Sequence, residues 1–320
     1  MSPGPSAKGP DFAPPWWLRG AHVQTVAASI ARERDVAERA RALVGGARTV
    51  DLRSRDGVIL QAAVTEPAGA SASTPTVVII HGWLGHNAAT YVRSAGATLL
   101  ERGFRVARLN LRDHGGTEHL NPGLFHSART DEVVDAVAAL VGDNGGVLGF
   151  SLGGNFALRV TRALGLPGLA VCPALDPAAT MHAIDTGLTL YRWYFVRKWH
   201  RALRAKAAAF PALYNFEDAL RLGTVGALTD VFVREHTDYP EVARYLGAYT
   251  LTGRALEGVH ATIVAALDDP IIPAAGFGEL PASIKVVPVP QGGHCGFIDT
   301  LRGPGWIDRY AADYFRSVLR

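Results

Sequence analysis

A chain of 320 residues, 48% of them hydrophobic, has the apolar mass to bury roughly three quarters of its unfolded surface in one large domain. Its 32 Lys and Arg nearly balance 29 Asp and Glu, which leaves no electrostatic footprint for nucleic acid and argues against that partner. Cys172 and Cys295 are the two cysteines, too few for a disulfide framework, and no zinc cluster is visible.

The opening stretch "MSPGPSAKGPDFAPPWWLRG" has prolines and glycines where a signal peptide carries an apolar run, so residues 1 to about 15 are expected to form a disordered leader and the protein to be cytoplasmic. The most apolar runs, such as "TVVII" at 76 to 80, fall far short of the roughly 20 residues that span a bilayer. "ARERDVAERARALVG" at 31 to 45 predicts a charged surface helix ended by Gly45 and Gly46, closing an N-terminal segment over 1–46. "ARTVDLRS" and "VILQAAVTEP" alternate apolar and polar residues around a turn at Asp56 and Gly57, the pattern of an antiparallel hairpin.

The period then changes. "TPTVVIIHG", "FRVARLNLR" and "GGVLGFS" read as strands, separated by helices over "ATYVRSAGATLLERG" and "RTDEVVDAVAALVG". Strands alternating with helices imply right-handed crossovers and an α/β fold with a mostly parallel central sheet flanked by helices. The alternation continues through "GLAVCPAL", lapses, and resumes at "HATIVAALDDP", "IKVVPVPQGGH" and "WIDRYAADYFRSVL". Residues 47–176 and 257–320 are therefore expected to form the core, and 177–256, helical but without a convincing strand, an inserted helical cap. Within it Leu188, Tyr191, Phe195, Trp199 and Leu203 recur at helical spacing between Arg192, Arg197, Lys198, Arg201 and Arg204. Such a stripe reads first as a cap helix packing its aromatic face on the core, and second as an acyl-chain wall or a weak membrane-surface face.

The chemistry centres on "GGVLGFSLGGNFAL", residues 145 to 158, where Gly149, Gly153 and Gly154 crowd around Ser151. A nucleophilic serine lifted out of a sheet on a sharp strand-to-helix turn needs small neighbours. It also needs an oxyanion loop upstream and an acid and a histidine downstream, in that order. All are present in position. "HGWLGH", His81 to His86, follows a strand and offers the backbone N–H of Trp83, which with that of Leu152 would receive an oxyanion. "LDDP" ends a later strand with Asp268 and Asp269 as alternative acids, and "QGGHCGF" ends the next with His294 among glycines. Ser151 Oγ would attack an acyl carbonyl while His294 takes its proton and the carboxylate orients the imidazole.

On these residues the chain resembles the α/β-hydrolase superfamily, and more narrowly the YheT-like hydrolases related to medium-chain ester synthase/hydrolases and abhydrolase lipases. "PPWWLRGAHVQTV" at 14 to 26, "HGWLGH", "GFSLGGN", and "DDP" followed by "GGHCGFI" carry the resemblance. It implies cleavage of small-molecule carboxylic esters without cofactor or metal, with acyl transfer to alcohols or a ligand-receptor role as alternatives, and it implies Asp269 as the acid because the aspartate before the proline recurs in that role. Short to medium acyl chains are expected, with Trp83, Tyr191 and Phe195 as substrate-contacting candidates; no feature speaks to oligomeric state. Two stretches depart from the pattern: "LRDHGGT" has Asp113 where the family carries glycine, and "LFHSARTDE" has Arg129 where small residues are expected. His114, His119 and His126 lack the carboxylates or cysteines that a metal site would add.

Overall fold

In the computed structural model, which describes residues 12–319, the apolar runs become the middle of one eight-stranded sheet. After three short N-terminal helices, α1 (Ala21–Ser29), α2 (Glu33–Arg39) and α3 (Arg41–Gly45), come β1 (Arg48–Arg53) and β2 (Ile59–Thr65), the expected antiparallel hairpin. There follow β3 (Thr76–Ile80), α4 (Thr90–Glu101), β4 (Arg105–Asn110), α5 (Asp131–Val141), β5 (Gly145–Phe150), α6 (Leu152–Leu164) and β6 (Gly168–Val171). Residues 177–256 carry α7 (Pro177–Thr186), α8 (Thr189–Ala209), α9 (Val225–His236) and α10 (Val242–Gly247), and the chain returns through β7 (Ala261–Ala266), β8 (Ile284–Val289) and α11 (Trp306–Val318).

The strand order is β1-β2-β4-β3-β5-β6-β7-β8, parallel throughout except that β2 runs against both β1 and β4. Every residue of β3, β5, β6 and β7 is buried, as expected of strands covered on both faces, whereas β8 exposes Lys285 and Pro288. Alternate residues of β3 feed opposite layers: Val77 and Ile79 pack with α4 and α11, Val78 and Ile80 with α5 and α6. The crossover through α4 takes the chain from β3 to β4 on one side of the sheet and the crossover through α5 takes it from β4 to β5 on the other, so a crevice opens between the carboxyl ends of β3 and β5.

Three local expectations change. The helix over 31–45 is two, α2 and α3; Arg34, Glu38 and Arg41 are exposed as expected of a surface element, while Val36, Ala40 and Leu43 form its buried face, the last two in the core layer that also holds α4 residues. Residues 1–11 of the expected leader lie outside the described residues, but its end is packed: the Phe12 ring lies 6.1 Å from Phe297 and 5.6 Å from Trp306. The strand in "GLAVCPAL" stops at Val171 because Cys172 turns to φ 44°.

Candidate active site

Ser151 follows the last residue of β5 and precedes the first of α6, with φ 55° and ψ −121°. A non-glycine residue held there is strained, and the strain persists only because the surroundings over-determine it. The glycines explain how the turn closes. A Cβ on Gly149 would lie 2.0 Å from the carbonyl oxygen of Gly153, and one on Gly153 would lie 2.3 Å from that of Ile80. The first glycine lets strand meet helix, and the second lets the helix start against β3.

The loop after β3 is held by two buried imidazoles. His81 donates from Nδ1 to its neighbour's carbonyl, Gly82 O, at 2.7 Å and accepts the N–H of Leu111 at Nε2. His114 bonds Arg112 O through Nδ1 at 2.6 Å and accepts the N–H of Leu84 at Nε2, 3.1 Å. Burial pushes the His114 pKa down to about 4, and that of His81 well below its usual value, so both remain neutral and can both donate and accept. Gly82 N–H is taken by the Tyr91 hydroxyl at 2.9 Å, and Leu84 stands at φ 56°. Among the described residues the N–H groups of Trp83 and Leu152 donate to no protein acceptor, which leaves them available beside Ser151.

Asp269 and His294 arrive from the ends of β7 and β8. His294 Nε2 lies 3.0 Å from Ser151 Oγ, and its Nδ1 lies 2.8 Å from Asp269 Oδ2. The other Asp269 oxygen accepts the N–H groups of Ile271 and Ile272 at 2.8 and 2.9 Å. Asp268 points elsewhere: its Oδ1 accepts the N–H groups of Gly292 and Gly293 at 2.8 and 2.9 Å, tying down the loop that carries His294. Burial opposes protonation of His294, but the Asp269 carboxylate, together with Cys295, more than offsets it and raises the imidazole pKa to about 9.

The N-terminal motif proves to be part of this site. Gln24, fully buried, donates through Nε2 to Leu18 O and Ile298 O and accepts the N–H of Ile298, so one amide clamps the segment beyond the histidine. Thr25 Oγ1 accepts the N–H of His294 at 2.9 Å while donating to Ala21 O. His22 Nδ1 meets the Tyr191 hydroxyl of α8 at 2.8 Å. Sequence reasoning saw the motif but could give it no task, because its partners Tyr191, His294 and Ile298 lie 169 to 274 residues away.

Over Ser151 lies a cavity of about 110 Å³. Trp83, Leu152, Phe195, Trp199 and Phe232 are among its apolar walls, with Ser127, Tyr245 and Tyr249 among its polar ones. Trp83 stacks on Phe195 at 5.6 Å and meets Trp199 edge-on at 5.0 Å, so the loop after β3 and α8 share an aromatic contact. Tyr191, expected to touch substrate, does not line this cavity, and the assignment is corrected: its hydroxyl is engaged by His22, which makes it an anchor of α8. Leu188, expected on the packed face, is 49% exposed at the start of the helix.

The departure at Asp113 has a partner. Asp113 adopts φ 57°, where glycine would be at ease, and its carboxylate takes a 2.8 Å ion pair from Lys206 of α8, itself 1% exposed. Lys206 Nζ also reaches Asn121 O and Gly123 O. His114 and His126 sit in separate packing environments, the first under the loop after β3 and the second against Tyr239 and Tyr245, and the described residues hold no group of three His, Cys, Asp or Glu side chains suited to a metal.

A sheet of this order with a serine on a strained turn, an acid after β7 and a histidine after β8 defines the α/β-hydrolase architecture. The profile of the alpha/beta hydrolase family matches residues 77–302, and the chain belongs to that family. Curated protein sequences give no match. Among solved structures, a serine hydrolase of the polyaromatic-hydrocarbon-degrading bacterium Cycloclasticus zankles is similar at TM-score 0.56 and 15% identity, over 85% of this chain and 99% of that one. An esterase of Pyrococcus furiosus is similar at TM-score 0.55 and 15% identity, over 85% and 90%. A 2,6-dihydroxy-pseudo-oxynicotine hydrolase is similar at TM-score 0.52 and 19% identity, over 93% and 72%. At these identities the likeness is one of fold. No helix among the described residues is long and apolar enough to cross a membrane.

Proposed function

We propose that the protein is a serine hydrolase cleaving carboxylic esters through an acyl-enzyme. The observation that carries this reading is the unbroken chain from Ser151 Oγ to His294, 3.0 Å, and from His294 to Asp269, 2.8 Å, beneath an apolar cavity. With its proton on Nδ1, His294 donates to Asp269 and accepts the Ser151 hydroxyl proton at Nε2. Ser151 Oγ bonds to the acyl carbon, and the oxyanion so formed is received by the N–H groups of Trp83 and Leu152. His294 then delivers its proton to the leaving alkoxide, the C–O bond breaks, and water, deprotonated by the same imidazole, releases the acid and frees Ser151.

Short to medium acyl chains suit the cavity, whose volume is below the ~300–1,000 Å³ of drug-sized sites, and residues 177–256 act as the cap that bounds it. The use of the His-x-Gln-Thr stretch to hold the histidine loop supports the narrower placement among YheT-like hydrolases. The test is labelling by a fluorophosphonate together with turnover of p-nitrophenyl esters of graded chain length. Labelling at Ser151 with turnover is expected; failure of both returns the fold to the ligand-receptor alternative. Ester formation that grows with added ethanol would mark acyl transfer.

A further inference from the structure

We infer that the acyl pocket selects chains that carry a hydrogen-bonding oxygen away from the scissile carbonyl over plain alkyl chains, an inference that rests on the ester-hydrolase reading above. The apolar walls near Trp83 and Phe195 give way to a group of three hydroxyls. Ser127, Tyr245 and Tyr249 all line the cavity, and the Tyr249 ring packs against that of Tyr245 at 5.4 Å. Tyr245 Oη accepts the N–H of Ser127 at 3.1 Å.

These residues are fixed rather than adaptable. Asn155 Nδ2 donates to Tyr249 O at 2.8 Å, and the Arg159 guanidinium, 3% exposed, donates to Ser127 O at 2.7 Å and Ala128 O at 3.2 Å and lies 5.9 Å from the Tyr249 ring centroid. Among the described residues none of the hydrogen bonds of Arg159 goes to a carboxylate and no ion pair reaches it, so a buried positive charge stands behind the hydroxyls. Ser151, Asn155 and Arg159 follow one another at four-residue steps along α6, about 6 Å of rise each. The side chains that hold the polar group thus start one and two turns beyond the nucleophile, and the group itself lines the same cavity as Ser151, which a short to medium acyl chain would enter.

An alkyl terminus driven among these hydroxyls would strip them of water and return no hydrogen bond. A carbonyl or hydroxyl oxygen would replace that water, and the charge of Arg159 would favour its electron-rich end. Sites built to bond a substrate oxygen reject the analogue that lacks it far more strongly than apolar pockets discriminate by size.

The experiment compares kcat/KM for p-nitrophenyl butyrate through decanoate with that for the matching esters bearing one in-chain ketone near the terminus, using the wild type, Tyr249→Phe and Ser127→Ala. At one or more chain lengths the oxo-ester is expected to exceed its alkyl counterpart at least tenfold, and each variant to bring that ratio towards one by slowing the oxo-ester. Thermal melts of the two variants verify their folding, and either one suffices. Alkyl esters turned over as well as oxo-esters at every length would overturn the inference and leave the hydrolase reading standing. A preference that survives in both variants overturns it too. Turnover of no ester, with no fluorophosphonate labelling, removes both.

Discussion

Thr25 accepts the backbone N–H of His294 at 2.9 Å across 269 residues of chain. The hydroxyl joins helix α1 to the residue whose imidazole faces Ser151, so the N-terminal segment sets where that imidazole stands. A misplacement of about 1 Å in such a group can cost a hundredfold in rate. Thr25→Val keeps the shape and removes the acceptor; kcat is expected to fall about ten- to a hundredfold with KM little changed, and Thr25→Ser to restore most of it. Unchanged kcat in Thr25→Val would show that the contact plays no part in positioning.

The glycines around Ser151 give a second test. Because a Cβ at Gly149 or Gly153 would sit at 2.0 or 2.3 Å from a backbone oxygen, even alanine cannot be absorbed by a rotamer change. Gly149→Ala and Gly153→Ala are expected to lose more than about 3 kcal/mol or fail to fold, beyond the usual range of single substitutions. Gly45→Ala, with nothing within 4 Å of its Cβ, is the control and should leave the melting temperature within a few degrees. A well-folded Gly153→Ala with wild-type melting would contradict the packing.

Legibility in the sequence followed the range of the physics. The fully buried central strands and the Ser151 turn were readable because their signals are local: β-branched runs, and glycines spaced about a serine. Asp269 was not separable from Asp268 by spacing, since both leave β7 together; only the resemblance pointed to Asp269, and the geometry assigns Asp268 to the backbone of Gly292 and Gly293. Tyr191 was misread because helical periodicity tells which face is buried, not what covers it. The anchoring of His294 by Thr25 has no local signature at all.

That division of the two aspartates predicts different losses. Asp269→Asn should remain folded and lose about 10⁴ in kcat, as when an orienting triad acid is replaced. Asp268→Asn retains an acceptor oxygen for Gly292 and Gly293 and should stay active and slightly less stable, whereas Asp268→Ala should lose about 1–3 kcal/mol by stranding two N–H groups. Steady-state rates and thermal melts on the three variants check this, and near-wild-type turnover in Asp269→Asn would move the acid elsewhere.

The raised pKa of His294 fixes the direction of the pH profile. A base works in its neutral form, so kcat/KM should fall as pH drops through the imidazole pKa, and the acid limb should lie above 6.5, towards about 9. Burial would lower that pKa and Asp269 raises it, so Asp269→Asn should shift the limb to lower pH in its residual activity. An acid limb below 6.5 in the wild type would contradict the electrostatic balance.

Asp113 and Lys206 form the buried link between the loop after β4 and helix α8. Burial raises the Asp113 pKa, and the Lys206 bond and charge act against that rise. Removing one member of such a pair leaves an uncompensated charge and typically costs about 3–5 kcal/mol. Lys206→Met should therefore destabilise strongly at neutral pH. The loss should shrink in acid, because a carboxyl whose folded pKa is raised further above its unfolded value costs stability as pH rises through that window and nothing once it is protonated in both states. Asp113→Gly with Lys206→Met removes both charges and places at φ 57° the residue that favours it, so the double variant should recover most of the single variant's loss and lose its pH dependence. Chemical denaturation of the three variants at pH 5 and pH 8 measures the coupling; additive losses, with no recovery in the double variant, would show that Lys206 acts through its backbone carbonyl contacts and not through Asp113.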